Sequence, residues 1–206
     1  MKIITISREF GSGGRELGRR LADILDYDYY DGEIITAVAK KIGMNEAYLE
    51  KMLENHGWQS FSISYHSTFH STQYFPNDMV SLLLAQKRVI EGIAALGKNF
   101  VIVGRNADLI LKAYYPLNLF VCAEMDARIR RCMERAKPEE QLTEKECLRK
   151  IKQIDKARAQ TRAIYSEWEW GRRDAYHLTV NTTGWNLKEL APPVAEFAEC
   201  YFARRL

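Results

Sequence analysis

One junction constrains the fold of this chain more than any other. The apolar run Ile3-Ile4-Thr5-Ile6-Ser7 leads into Gly11-Ser12-Gly13-Gly14, and Arg15-Glu16-Leu17 follows without a break. Leu17, Leu21, Ile24 and Leu25 then recur at helical spacing, so the segment reads as a strand, a glycine turn and the buried face of a helix. Such a junction aims several backbone N–H groups, and the positive end of a helix dipole, at one point in space. Three glycines within four residues let the backbone bend round an anion without side-chain clash. Phosphate suits that place, although a glycine-rich β-to-α turn with no ligand would share the pattern.

The phosphate-binding motif G-x-x-x-x-G-K-[ST] is present in layout but altered in its last residues. If Gly14-Arg15-Glu16 stands for G-K-[ST], Arg15 replaces the lysine, Glu16 the hydroxyl and Glu9 the first glycine. If Gly11-Ser12-Gly13 holds the inner glycines, the lysine position falls on Gly14. Either register makes Gly11, Ser12, Gly13, Gly14, Arg15 and Glu16 the candidate nucleotide-phosphate residues.

Beyond the junction, strands and helices alternate, which implies a parallel sheet with helices on its faces. The strands are expected near 2–7, 27–30, 100–103, 117–122 and 177–180. Phe100-Val101-Ile102-Val103 is apolar throughout, as a central strand buried on both faces requires. Helices are expected near 14–25, 32–42, 46–54, 78–96, 126–135, 144–170 and 187–204, with Asn77 or Asp78 as a cap and Gly97 as a stop. A chain of 206 residues suits one α/β domain with a good core. Its net charge of +3 is too small to argue for nucleic acid, and no apolar run approaches the roughly 20 residues that cross a bilayer. Cys122, Cys132, Cys147 and Cys200 show no C-x-x-C spacing, and a strand begins straight after Met1. Reduced thiols in a cytoplasmic protein are therefore expected.

Two segments break the rhythm. Residues 58–75 carry no charge but many Ser, Thr, His and aromatic side chains, as a surface flap or a loop packing on a ligand would. His66 and His70 lie four apart, yet no third ligand or adjacent acid supports a metal site there. The run 149–162 sets six cations against the single acid Asp155. Asp155, Arg158, Arg162 and Tyr165 share one face of its helix, which fits either a charged face turned into a cleft or a solvated basic helix.

The order of these segments resembles the nucleoside monophosphate kinases, and most closely the cytidylate kinase-like family. The resemblance rests on Ser7-Arg8-Glu9-Phe10-Gly11-Ser12-Gly13-Gly14-Arg15-Glu16, Tyr29-Tyr30-Asp31, Val101-Ile102-Val103-Gly104-Arg105-Asn106-Ala107-Asp108 and Asp155-Lys156-Ala157-Arg158. It implies a P-loop NTPase-like three-layer α/β fold with a five-stranded parallel sheet. It further implies a single domain over 1–206, with an acceptor-binding insertion at about 32–76 and an arginine-bearing helical lid at about 136–174. The donor would be ATP with Mg²⁺, and the acceptor CMP or dCMP. Where cytidylate kinases carry an Asp at the end of the third strand this chain has Val103, and Asn106 stands where an acid follows the arginine.

Phosphoryl transfer gathers several negative charges, and arginine meets phosphate oxygens with a planar fork. Arg105 lies just past a buried strand, on the sheet edge where open α/β folds bind ligands. It is a candidate acceptor-phosphate ligand; alternatively, an Arg105–Asp108 pair ties down the next helix. Arg15, Arg105, Arg158 and Arg162 form the expected catalytic set, and Arg131, from the stripe Arg128, Arg131 and Arg135, is expected on the donor side. Asp31, Arg105, Asp108 and Asp155 are candidates for substrate binding, although Asp31 would equally cap the following helix, with Glu33 beside it. Glu16 or Asp108 is the candidate metal ligand, through water. The expected partners are a nucleoside monophosphate or another small acceptor, not nucleic acid or membrane, and an oligomer is open. Two other readings stay in play: a kinase for a different metabolite, and a non-catalytic nucleotide sensor.

Overall fold

The computed structural model describes residues 1–31, 76–136 and 143–204. Chain contacts divide it into two units, Met1–Tyr29 with Lys98–Leu206, and Tyr30–Gly97.

The first unit is built on β1 (Ile3–Arg8), which runs through the middle of a five-stranded parallel sheet. With β2 (Asp28–Tyr30), β3 (Phe100–Val103), β4 (Leu117–Cys122) and β5 (Leu178–Asn181), the strand order is β2-β3-β1-β4-β5. The registers set Ile6 beside Val103 on one side and beside Leu119 on the other. Ile3, Ile4, Ile6 and all of β3 are buried, as strands flanked on both edges and both faces must be.

Helix α1 (Gly14–Leu25) lays Leu17, Leu21 and Ala22 into the main core. They meet Val101, Val103, Leu117, Leu119 and Val121 of the sheet and Ala191, Val194 and Ala198 of the C-terminal helix (Leu187–Ala203). Ile24, although in phase with Leu17 and Leu21, is exposed, so the buried stripe is narrower than its spacing suggests. A helix over Met125–Arg135 and a longer one over Glu144–Tyr165 share a smaller cluster of Cys132, Cys147 and Ile151, with Phe10, Met125 and Ile129 packed against it. The longer helix opens with a capping box between Thr143 and Glu146. It stops at Tyr165, five residues before the expected end, because Ser166 is extended (φ −154°) and its hydroxyl accepts the Trp168 N–H at 3.0 Å. A helical turn at Ala107–Ile110 and 3₁₀ turns at Lys112–Tyr114 and Arg173–Ala175 are too short to leave a periodic trace in sequence.

In the second unit a helix spans Pro76–Ala95 and buries Leu83, Gln86, Val89, Ile90, Ile93 and Ala94 along one stripe. It opens two residues before the expected start, with Pro76 at the first helical position, and ends at Ala95, two residues before Gly97, whose φ is +71°. The helices of the described residues are α1 (Gly14–Leu25), α2 (Pro76–Ala95), α3 (Ala107–Ile110), α4 (Met125–Arg135), α5 (Glu144–Tyr165) and α6 (Leu187–Ala203). The helices expected at 32–42 and 46–54, the 58–75 segment with His66 and His70, and most of the expected insertion lie outside the described residues.

Candidate phosphate and arginine site

Gly13, with φ +83°, caps α1, and Gly14 is its first residue. In the register that places Gly14 at the lysine position, the residue that opens the helix carries no side chain; in the other, Arg15 is the second residue of α1. The glycines answer to the protein packed behind them. A Cβ on Gly13 would lie 2.6 Å from Leu187 Cδ1, and one on Gly11 would lie 2.9 Å from the Arg128 carbonyl oxygen and 3.0 Å from Cys132 Sγ.

Side chains from two other elements hold the loop by its carbonyls. Arg128 Nε donates to the Phe10 carbonyl at 2.7 Å. The Ser12 carbonyl accepts from Thr182 Oγ1 at 2.7 Å and from Arg131 Nη1 at 3.2 Å, while Arg131 Nη2 also grips the Thr182 carbonyl at 2.6 Å. Because N–H and C=O of a trans peptide point in opposite directions, each grip turns the next amide, of Gly11 and of Gly13, to the other side of the backbone. The Ser12 hydroxyl is used within the loop, donating to the Glu9 carbonyl at 2.9 Å. Among the described residues, the N–H groups of Gly11, Gly13 and Gly14 donate to no protein acceptor. They supply the amides an anion needs.

The carboxylates nearby are engaged by the protein. Asp155, on α5, accepts the Phe10 N–H at 2.8 Å, pairs closely with Arg128, and lies 3.4 Å from Arg158 Nη1. It therefore links α5 to the phosphate loop. Glu9 accepts the Ala123 N–H at 3.1 Å and pairs with Arg128 Nη1 at 3.3 Å. Glu16 is taken by Arg20 at 2.9 Å and closely by Arg135. Asp108 is buried against Arg162 at 2.7 Å, so its ion pair is with α5 rather than with Arg105. Among the described residues no group of three or more His, Cys, Asp or Glu could hold a metal. With Glu16 and Asp108 committed to arginines, these residues do not form a protein-built Mg²⁺ cage.

The cations are distributed unevenly. Arg8 and Arg105 each lie two residues beyond the paired Ile6 and Val103, so two parallel strands end in arginines at one edge of the sheet. Gly104, Arg105 and Asn106 all hold positive φ, of 82°, 61° and 52°. For Arg105 and Asn106 that conformation costs roughly 1 kcal/mol or more each, a strain typical of functional turns. Arg158 reaches in from α5 to donate to the Arg8 carbonyl at 2.9 Å and lies over the Phe10 ring. Its side chain is 13% exposed, and its Nε is buried without a hydrogen-bond partner among the described residues. Burial, then the charge of Arg8, depress the Arg158 pKa well below the ordinary arginine value; Arg105 and Arg128 push the same way, and Asp155 opposes them. A guanidinium so crowded by like charge gains strongly from an anion. Burial and neighbouring Arg135 likewise lower Arg131.

The structure thus joins Gly11, Ser12, Gly13, Gly14, Arg131, Asp155 and Arg158 through one loop and its supports. Arg162 and Asp108 form a separate buried pair, with the Arg162 guanidinium over the Tyr176 ring. Arg15 is the second residue of α1, and its carbonyl accepts from the Tyr29 hydroxyl at 3.2 Å. Asp31 is buried just after β2 in the second unit, and the helix it was expected to cap lies outside the described residues. Sequence reading missed Arg8, Glu9 and Thr182 and left Arg128 in a stripe. Arg8 had a legible signal, a charge closing an apolar strand at the ligand-binding edge, whereas Thr182 had none.

Comparison with known proteins agrees with this geometry. A cytidylate kinase from Haloarcula marismortui is 25% identical over 201 residues, covering 97% of this chain and 90% of the relative. The crystal structure of an uncharacterized protein from Eubacterium ventriosum superposes with a TM-score of 0.70 at 23% identity, covering 97% of this chain and 99% of that one. A shikimate kinase from Acinetobacter baumannii, solved in complex with shikimate, gives 0.55 at 14% identity, covering 98% and 94%. Both structures share the fold, a P-loop NTPase-like α/β architecture. No helix among the described residues is long and apolar enough to cross a membrane. The model of the cytidylate kinase-like family matches residues 3–184, and the chain belongs to that family.

Proposed function

We propose that this protein is a nucleotide kinase that takes ATP at the Gly11–Gly14 loop and phosphorylates a pyrimidine nucleoside monophosphate, CMP or dCMP. The observation that carries the reading is Arg158, buried among Arg8, Arg105 and Arg128 beside loop amides that, among the described residues, donate to no protein group. In the reaction an oxygen of the acceptor phosphate bonds to the γ-phosphorus as the bond to the β,γ-bridging oxygen breaks, and its electron pair leaves with ADP. The loop amides bind donor phosphates, and Arg105 takes the acceptor phosphate. Arg158 stabilises the charge on the transferred group, as arginine does in phosphoryl transfer generally. Arg131, Asp155 and Arg162 act as positioning residues: the first two hold the loop, and the third anchors α5. Mg²⁺ carried by the nucleotide phosphates would neutralise part of their charge.

The test is product formation by the purified protein with Mg²⁺-ATP and, separately, CMP, dCMP, UMP, AMP and GMP. ADP together with CDP or dCDP is the expected result. A folded protein that binds ATP but turns over none of them rejects the pyrimidine acceptor. The engaged state of Glu16, Asp108 and Asp155 would then favour the sensor reading, and turnover with another small metabolite the alternative kinase.

A further inference from the structure

Two glycines trace the path of the Arg8 side chain. A Cβ on Gly14 would lie 2.7 Å from Arg8 Cβ and 3.1 Å from its Cγ. A Cβ on Gly104 would lie 1.7 Å from Arg8 Nη1 and 2.6 Å from Cζ. The stem therefore passes the first residue of α1, and the guanidinium rests on the backbone where β3 ends. The helix position that carries the lysine in the usual motif has no side chain here, and an arginine stem from the adjoining strand fills the space beside it. Gly14 is required by this contact, and Gly104 both by contact and by its φ of +82°.

The geometry points to Arg8 as the cation of this phosphate loop: it grips the terminal phosphate of a nucleoside triphosphate, in the part that a lysine opening α1 would play. The inference rests on the nucleotide-binding reading above. It names the terminal phosphate because the stem leaves the loop at Gly14 while the head ends at Gly104, beside Arg105 and close to Arg158. A planar fork suits this placement, since one guanidinium can meet two phosphate oxygens where an ammonium meets them as a point charge. Arg15, one residue along α1, is not needed for the role.

Calorimetric titration of the full chain with Mg²⁺-ATP and Mg²⁺-ADP decides it, in wild type, Arg8→Ala, Arg8→Lys and Arg19→Ala. Arg8→Ala is expected to weaken ATP binding about tenfold or more and ADP binding by less than about threefold, the scale of a lost charged hydrogen bond to one phosphate. Arg8→Lys, which keeps the charge, falls between Arg8→Ala and wild type, and Arg19→Ala, exposed on α1, changes neither affinity. Unchanged ATP affinity in Arg8→Ala, or an equal loss for ATP and ADP, overturns the assignment and leaves the nucleotide-binding reading standing. A wild type that binds neither nucleotide overturns both. If Arg8→Ala melts below the titration temperature, Gly104→Ala carries the same test by displacing the guanidinium. It is expected to lose ATP in preference to ADP, and retention of both affinities overturns the assignment.

Discussion

Two arginines on one face of α5, four residues apart, live in opposite electrostatic surroundings. Arg162 has one acid, Asp108, at 2.7 Å, and both side chains are almost wholly buried. Arg158, one turn earlier, shares Asp155 with Arg128 and faces Arg8 and Arg105 as well. A matched buried pair holds two elements together, because breaking it strands a charge in low dielectric. A crowded cation gives the apo protein little, and its value appears when an anion arrives. The difference separates an anchor from a ligand-binding group on the same helix, although both read alike as basic residues in sequence.

The largest expected effect breaks the anchor. Arg162→Ala leaves Asp108 buried without its partner and is expected to cost about 3–5 kcal/mol of stability by chemical denaturation. A loss under about 1 kcal/mol would mean that the pair does not anchor α5. Arg158→Ala should show the reverse pattern, with unfolding stability unchanged or higher and ATP-dependent turnover about 100-fold lower. Equal damage by both variants to stability would show that the two arginines play one structural role. The loop's own support is the next test. Thr182→Val keeps the shape but removes the hydroxyl that donates to the Ser12 carbonyl, so stability should fall by about 1–2 kcal/mol and ATP affinity with it. Intact affinity would show that Arg131 alone holds that peptide. The smallest effect is thermal. Pyrophosphate at roughly ten times its Kd should add about 1.4 kcal/mol, raising the melting temperature by about 3–6 °C in wild type. In Arg158→Ala the rise should be at most half as large, and an equal rise would move the anion away from Arg158.

Much of the frame was legible because it follows from local rules. The strands at 100–103 and 117–122 and the helix at 14–25 sit where the apolar runs and spacing put them. Boundaries slipped where a single contact decides, as at Ser166, whose side chain ends α5 before Trp168. The site was legible in part. The glycine cluster and the family resemblance pointed to the loop, and the shared face of Asp155, Arg158 and Arg162 does turn inward, while Arg149, Lys152 and Lys156 of the same run are exposed. The distribution of charge among partners was not legible, since Asp108 and Arg162 are 54 residues apart and Phe10 and Asp155 are 145 apart.

The sequence by itself determined that a buried parallel strand must end in a glycine turn and a helix, since periodicity and backbone sterics act over a few residues and need no partner. Only the tertiary structure decided which cation stands by that turn. Gly14 lacks a side chain, and the space beside it is filled by Arg8, whose head comes to rest on Gly104 from a strand almost a hundred residues distant in the chain. Electrostatics and close packing depend on distance in space, and folding alone brings those residues together.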